Sequence, residues 1–263
     1  MDLQLTGKKA LVTGSTAGIG LAIAKALAKE GAEVIVNGRT EARVQAALAE
    51  LKPIAKAQAH GVAADLGTAQ GVAALLAKVP SVDVLVNNLG IFAAVPFAEI
   101  ADADWLRFFE VNVLSGVRLT RHYLPQMVKQ NWGRVMFISS ESAVQIPAEM
   151  IHYGMTKTAQ LALARGLAES VAGTGVTINS VLPGPTRSEG VGDFVEGLAK
   201  QQGKSAAQVE KDFFQHVRPS SVIRRFLEVD EVASMVAYLA SPLASGTTGA
   251  AVRVDGGVIR AIV

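Results

Sequence analysis

Short apolar segments alternate along the chain with longer segments that show the period of helices. The apolar segments predict strands at residues 9–13, 33–37, 59–63, 82–86, 134–139, 176–181 and 250–254. This alternation predicts an α/β fold of the Rossmann type, with a doubly wound parallel sheet of about seven strands and helices on both faces. Right-handed crossovers place the ligand crevice of such a sheet at the carboxyl ends of its strands.

The whole chain, residues 1–263, is expected to form one domain, because a chain of this length can bury a large core in a single unit. Half of its residues are apolar, but no uninterrupted run reaches the ~18 residues of a membrane span. The N-terminal segment lacks the basic and apolar regions of a secretion signal. Cysteine is absent, which excludes disulfides and thiol chemistry, and a cytoplasmic location is expected.

The charge balance gives no support for a nucleic-acid or membrane partner. The 25 basic and 23 acidic residues leave a net charge of +2 at pH 7, and they form no dense basic run. The histidines show no paired ligand spacing, so no metal site is predicted. They are His60, His122, His152 and His216.

The first predicted strand runs into a glycine-rich turn, and an alanine-rich helix follows from about Gly20 to Glu30. A strand, such a turn and a helix N-terminus present backbone N–H groups to an anion, as in the binding of a dinucleotide pyrophosphate. The turn reads Gly14-Ser15-Thr16-Ala17-Gly18-Ile19-Gly20. Its spacing differs from the commoner G-x-G-x-x-G, and an ordinary glycine-rich βα loop is the alternative interpretation.

Tyr153 and Lys157 are four residues apart, so on a helix they share one face. A tyrosine with its usual pKa near ~10 is a poor acid or base at neutral pH, and a neighbouring cation stabilises its phenolate. The pair is therefore a candidate proton-transfer device. An isolated Tyr-x3-Lys pair is also an ordinary feature of a helix surface.

Together these motifs resemble the short-chain dehydrogenase/reductase family, including its 3-oxoacyl-carrier-protein reductases, over nearly the whole chain. Further matches follow in the family's order, and they are Asn87-Asn88-Leu89-Gly90, Asn112, Ser140, Pro183-Gly184 and Val254-Asp255-Gly256-Gly257. Leu89 departs from the family's usual alanine. The resemblance implies an NAD(P)-dependent oxidoreductase whose substrate is a small alcohol or the corresponding carbonyl compound.

The resemblance also implies roles for four residues. Tyr153 is the expected acid/base, and Lys157 lowers its pKa and holds the nicotinamide ribose. Ser140, thirteen residues before Tyr153, is expected to hydrogen-bond the substrate oxygen. Asn112 is expected to support Lys157 through a water molecule. The alternatives for Ser140 are that adjacent Ser139 has this role or that both hydroxyls only cap a strand end.

The end of the second strand bears on the choice of cofactor. Gly38 occupies the place of the acidic residue that binds the ribose diol of NAD, and Arg39 follows. A guanidinium binds a phosphate bidentately, so NADP(H) is predicted, with NAD(H) as the alternative. Arg39 could instead cover the adjoining helix start or stack on adenine.

Further cofactor contacts are implied by the resemblance, and they are Asp65, Leu66, Asn88, Gly90, Pro183, Gly184, Thr186 and Ser188. Asp65 could equally be the N-cap of the next helix, and the two roles are compatible. Glu141 and Glu149 are expected either to line the substrate pocket or to face solvent.

Residues 188–221 interrupt the regular alternation. In the family this region is a substrate lid, and a passive surface excursion is the alternative. The family also implies a homo-oligomer, a tetramer or a dimer, that pairs the helices containing Asn112 and Tyr153. A competing functional class is a catalytically weak NADP(H)-binding sensor or interaction protein on the same fold.

Overall fold

A single seven-stranded sheet forms the centre of the computed structural model, which describes residues 2–262. All pairings are parallel, and the strand order is β3-β2-β1-β4-β5-β6-β7. The strands are β1 Lys9–Val12, β2 Glu33–Gly38, β3 Ala59–Ala63, β4 Val84–Asn87, β5 Gly133–Ile138, β6 Val176–Pro183 and β7 Ala251–Val254. The predicted fold class is confirmed, and the predicted strands lie within a few residues of the observed ones.

Helices cover both faces of the sheet. They are α1 Gly18–Lys29, α2 Glu41–Leu51, α3 Ala69–Lys78, α4 Asp102–Phe109, α5 Ser115–Lys129, α6 Ile151–Ser170, α7 Glu189–Gln202, α8 Ala206–Asp212 and α9 Val229–Ala240. Two π-helical turns, Glu110–Leu114 and Phe213–Val217, follow α4 and α8. None of the helices in the described part of the chain combines the length and hydropathy that crossing a bilayer requires.

The core consists of two apolar layers, one on each face of the sheet. One layer joins the strands to α1, α2 and α9 through side chains such as Leu27 and Val236. The other joins them to α3, α5 and α6 through side chains such as Leu75 and Leu119. Alternate strand residues point to opposite faces, so both faces of the central strands are buried and their sequences are continuously apolar.

The strand order reverses between β1 and β4, which are neighbours in the sheet although they are far apart in sequence. The chain leaves these two strands toward opposite sides and opens a crevice at their carboxyl ends. The glycine-rich turn follows β1, and Asn88-Leu89-Gly90 follows β4. The fold therefore brings both motifs to the same edge.

Residues 188–221, the region predicted as a lid, contain α7, α8 and the second π-helical turn. A separate small apolar cluster of Ala199, Val209, Phe214 and Phe226 holds this segment together. The segment therefore has its own packing, distinct from the two main layers.

Candidate active site

Backbone crowding explains the glycines of the turn after β1. Gly18 has φ +55°, a left-handed conformation that favours glycine. A Cβ atom on Gly20 would overlap the Gly14 carbonyl oxygen and would lie 2.5 Å from Asn88 Nδ2. The turn and the start of α1 thus form a close-fitting cradle of backbone at a helix N-terminus, which fits a dinucleotide pyrophosphate.

Hydrogen bonds brace this cradle from the neighbouring strand. Asn88 Nδ2 donates to the carbonyl oxygens of Thr13 and Gly14 at 2.9 and 3.0 Å. The Thr13 hydroxyl accepts from the backbone N–H groups of Asn88 and Leu89, both at 2.9 Å. Asn88 therefore fixes the loop through protein contacts, and its predicted direct contact with a cofactor stays a prediction.

Asn37, at the end of β2, braces the same loop and had no predicted role. Its Oδ1 accepts from Gly14 N–H at 3.2 Å, and its Nδ2 donates to the carbonyls of Val62 and Ala64. Ser15 is fully buried, and its hydroxyl donates to the Val12 carbonyl at 2.6 Å. The Ser15 side chain thus supports the loop from within, and its contact with a cofactor also stays a prediction.

A cavity of about 380 Å³ lies beside the end of β2. Its lining includes Thr16, Gly38, Arg39, Arg43 and Asp65. A Cβ on Gly38 would overlap Thr16 Cγ2, so Thr16 would have to shift before a side chain could stand there. Arg43, one turn into α2, adds a second cation that the sequence interpretation did not include. Two arginines and one carboxylate therefore line this end of the site.

Asp65 follows β3 and is exposed, whereas Leu66 is buried beside it. The Asp65 Oδ1 atom accepts from Gly67 N–H at 3.0 Å. Helix α3 is capped by Thr68, whose hydroxyl accepts from Gly71 N–H. The alternative role of Asp65 as the N-cap is therefore wrong, because Thr68 stands closer to the helix start.

Ser139 and Ser140 point their hydroxyls to different partners at the end of β5. Ser139 Oγ donates to the Lys157 carbonyl at 2.9 Å and so ties the strand to α6. The Ser140 hydroxyl accepts from Ser142 N–H at 3.1 Å, and it is close enough to the phenol of Tyr153 to lower the pKa of that group. This geometry favours Ser140 over Ser139 as the residue that meets a substrate oxygen.

Tyr153 and Lys157 lie one turn apart on α6, with Lys157 Nζ 5.6 Å from the centre of the Tyr153 ring. Burial raises the pKa of Tyr153 to about 12, and the neighbouring Ser140 hydroxyl opposes this rise. Burial lowers the pKa of Lys157 to about 8. At neutral pH the phenol is therefore protonated, and the lysine remains mostly charged. This protonation state is compatible with the predicted acid/base role of Tyr153, which stays a prediction.

Lys157 and Asn112 are both deeply buried. Lys157 Nζ donates to the Ile138 carbonyl at 2.9 Å. The Asn112 side chain bonds both backbone groups of Ile91 and the Thr156 hydroxyl, and the Asn112 backbone carbonyl accepts from Gln160 Nε2 at 2.5 Å. Asn112 lies in the π-helical turn before α5, a kind of helix irregularity that is frequent at functional sites. Its support of Lys157 through water stays a prediction.

Gly90 and the loop after β6 complete the predicted set. A Cβ on Gly90 would lie 3.3 Å from Lys157 Nζ. Pro183 ends β6, and Gly184 N–H donates to the Val254 carbonyl at 2.9 Å. Ser188 comes close to the glycine-rich turn, because a Cβ on Gly18 would lie 3.3 Å from its Cβ. The Thr186 hydroxyl donates to the Gly184 carbonyl at 2.8 Å, which shapes the loop.

The two acidic residues whose surroundings the sequence left open differ in burial. Glu141 is 3 % exposed, and its Oε1 pairs with Arg218 Nε at 3.0 Å. Glu149 keeps a half-exposed side chain, 3.5 Å from Arg218 Nη1. Glu141 therefore does not face solvent, and its charge is paired with that of Arg218.

No cluster suited to a metal ion occurs in the part of the chain that the structure describes. His152, directly before Tyr153, is buried between the rings of Trp105 and Phe108. Burial lowers its pKa. His152 therefore belongs to an apolar contact between α4 and α6.

Comparison with known proteins agrees with this geometry. The family model described as short chain dehydrogenase matches residues 8–198, so the chain belongs to that family. The chain is 49 % identical to the uncharacterized oxidoreductase YvaG of Bacillus subtilis over the whole of both chains. It is 32 % identical to the 3-oxoacyl-[acyl-carrier-protein] reductase FabG of Aquifex aeolicus, covering 98 % of this chain and 100 % of that protein.

Among solved structures, the chain is similar to L-sorbose reductase from Gluconobacter frateurii, complexed with NADPH and L-sorbose. The TM-score is 0.94 with 31 % sequence identity, and all of both chains is covered. The family assignment makes this chain an oxidoreductase of the short-chain type.

Proposed function

We propose that this protein is an NADP(H)-preferring reductase of a small ketone, with Tyr153 as its proton donor. The observation that carries the proposal is the half-buried Tyr153, which neighbours Ser140 and lies one turn from the buried Lys157. When bound, the nicotinamide would supply the hydride that reduces the carbonyl carbon. The alkoxide left by that step needs a proton, which Tyr153 is placed to give.

The other residues act on the substrate oxygen or on Tyr153. Ser140 would donate a hydrogen bond to the oxygen and stabilise its developing negative charge. Lys157 would stabilise the phenolate that remains after proton transfer, because its buried cation acts in a medium of low dielectric constant. In the opposite direction the same phenolate would remove the alcohol proton. Asn112 would help to hold Lys157 in position.

The backbone cradle at Gly18 and Gly20 fits the pyrophosphate, and the cavity beside β2 fits the adenosine end. Arg39, Arg43 and Asp65 line that cavity, and Gly38 stands where the family's NAD-binding members carry an acid, so the two arginines outnumber the one carboxylate. A 2′-phosphate would therefore be attracted here, so NADP(H) is favoured over NAD(H). The NADPH complex of the similar L-sorbose reductase supports this preference.

The substrate we favour is a short hydroxylated ketone, with a 3-oxoacyl thioester as the second candidate. The buried ion pair of Glu141 and Arg218 adjoins Ser140 and Tyr153, so this side of the site is polar. L-sorbose, the ligand of the similar reductase, is a substrate of that kind. The similarity to the Aquifex FabG supports the second candidate.

The test is turnover of a panel of ketoses, small ketones and 3-oxoacyl thioesters with NADPH and with NADH, followed by nicotinamide absorbance. Reduction of ketoses with NADPH as the better cofactor would support the proposal. Absence of turnover on the whole panel, with NADPH binding retained, would favour the alternative of a sensor or interaction protein.

Three further proposals concern the whole molecule. We propose that residues 188–221 act as a lid, because they form a separately packed unit whose start adjoins the glycine-rich turn at Ser188.

We propose a homo-oligomer, a tetramer or a dimer, because the large apolar side chains of Phe97 and Leu106 are exposed around α4. We also propose a cytoplasmic location, which the absence of cysteine favours.

A further inference from the structure

One side chain, Arg218, contacts the connection between β5 and α6 at two points, one next to Ser140 and one just before the helix of Tyr153. Its Nε donates to Glu141 Oε1 at 3.0 Å, and Glu141 directly follows Ser140. Its Nη1 lies 3.5 Å from Oε1 of Glu149, just before the helix that carries Tyr153. Arg218 directly follows the second π-helical turn and lies within the region proposed as a lid. The guanidinium thus joins the lid region to two points of the connection between β5 and α6.

The ion pair between Arg218 and Glu141 is buried, with 11 % and 5 % of the two side chains exposed. Glu141 Oε2 is also buried, and it has no hydrogen-bond partner among the described residues. Removing a carboxylate from water is costly unless a partner compensates its charge. Burial raises the pKa of Glu141, and Arg218 opposes that rise by its charge and its hydrogen bond, so Arg218 favours the ionised form of Glu141 beside Ser140.

Neighbouring contacts fix the position of Arg218. Its Nη1 also donates to the Val217 carbonyl at 3.0 Å, and Gln145 Nε2 donates to Ser220 Oγ at 3.2 Å. The N–H groups of Val222 and Ile223 donate to the Gly256 carbonyl. The end of the lid region is thus docked against the Ser140 loop on one side and the C-terminal turn on the other.

We infer that Arg218 and Glu141 form a charge-balanced positioning pair that couples the seating of residues 188–221 to the acidity of Tyr153. In this inference neither Arg218 nor Glu141 contacts the reacting atoms. Glu141 acts on the phenol by its negative charge, and Arg218 balances that charge only while the end of the lid region is docked. The inference extends the proposed function, because it assumes that Tyr153 exchanges a proton during turnover.

The charges around Tyr153 determine in which direction each substitution should shift its pKa. Lys157 on α6 and Arg218 are the cations near the phenol, and Glu141 is the anion beside it. Asp255, in the turn after β7, acts on Glu141, and Glu149 adjoins Arg218. A negative neighbour raises the pKa of a phenol and a positive one lowers it. Loss of the Glu141 charge should therefore lower the pKa of Tyr153, and loss of Arg218 should raise it.

The test uses Glu141→Gln, Arg218→Met and the double variant in the full-length protein. The pKa of Tyr153 is read in the complex with oxidised cofactor from the ¹³C signal of labelled tyrosine, assigned by Tyr153→Phe among three tyrosines. We expect the midpoint to fall in Glu141→Gln and to rise in Arg218→Met, each by roughly 0.5–1 pH unit. The double variant should return close to the parent, because both charges are gone.

The pH dependence of alcohol oxidation gives a second measurement of the same quantity. This rate needs the phenolate, so its alkaline midpoint should move as the NMR midpoint moves. Arg218→Lys keeps the charge and should restore most of the parent midpoint. Arg225→Met is the matched control, because Arg225 pairs with Glu231 in an exposed ion pair on the segment after the lid region. It should leave both midpoints unchanged.

Arg218→Met leaves a buried carboxylate unpaired, so its thermal unfolding is measured first. If it does not fold, the Glu141→Gln and Arg218→Lys arms decide. Unchanged midpoints in every folded variant would overturn the inference while leaving the proposed function intact. If the parent transfers no hydride to any carbonyl, the proposed function fails, and the NMR arm still tests the pair.

Discussion

The two sides of the crevice are built in different ways. The cofactor side is held by backbone: the glycine-rich turn is braced by Asn88, Thr13 and Asn37, which all bond to main-chain groups. The substrate side is held by charged side chains, with Arg218 reaching Glu141 across 77 residues of sequence. The cofactor side should therefore be rigid and intolerant of added atoms. The substrate side should respond to charge and to movement of the lid region.

The largest effect on this comparison is expected from Gly20→Ala, since the added Cβ would overlap the Gly14 carbonyl. The forced backbone shift should lower the free energy of unfolding by about 1–3 kcal/mol. It should also weaken the binding of both cofactors. Calorimetric titration and thermal unfolding measure these effects.

Gly166→Ala is the matched control for Gly20→Ala. It lies within α6, and an added Cβ meets no atom within 4 Å. Here alanine should raise the free energy of unfolding by about 0.4–1 kcal/mol and leave cofactor binding unchanged. Equal behaviour of the two variants would refute the idea of a close-fitting cradle.

A smaller and more selective effect is expected from Arg39→Ala. Loss of a charge-assisted hydrogen bond to the 2′-phosphate should weaken NADPH binding by about 1–3 kcal/mol and spare NADH. Titration with each cofactor separates the two outcomes. Equal losses for both cofactors would exclude the phosphate role and leave stacking or helix-start packing as the function of Arg39.

The smallest expected effect concerns the substrate side of the crevice and is a change in amide hydrogen exchange. Residues 190–217 should exchange their amide hydrogens faster than the sheet in the free protein and become protected when substrate or cofactor binds. Hydrogen exchange detected by mass spectrometry measures this directly, with β4 as the internal control. Equal protection in the free and bound states would contradict a lid.

Most of the features that could be predicted from the sequence depend on patterns among residues that are close together in the chain. Apolar segments identified all seven strands, and the order of strands and glycines located the crevice, because these signals depend on neighbours in the chain. The choice of Ser140 over Ser139 followed from family spacing, and the different hydrogen bonds of the two hydroxyls now support it.

The parts that the sequence did not predict depend on contacts between distant segments. Asn37 reads as an ordinary strand-end residue until β3 and the glycine-rich turn are placed beside it. Glu141 could be assigned to pocket or solvent with equal reason, since its partner Arg218 is not adjacent in sequence. The π-helical turn at Asn112 likewise has no local signature among these residues.

Tyr153→Phe tests the central claim most directly, because it removes the transferable proton and keeps nearly the same ring. The measurement is single-turnover reduction of the best ketone in the panel, followed by nicotinamide absorbance across neutral pH. The chemical step should slow by about 10²–10⁴-fold, while cofactor affinity stays within about threefold of the parent. Reduction as fast as in the parent would contradict the account, because Tyr153 would then not be the proton donor.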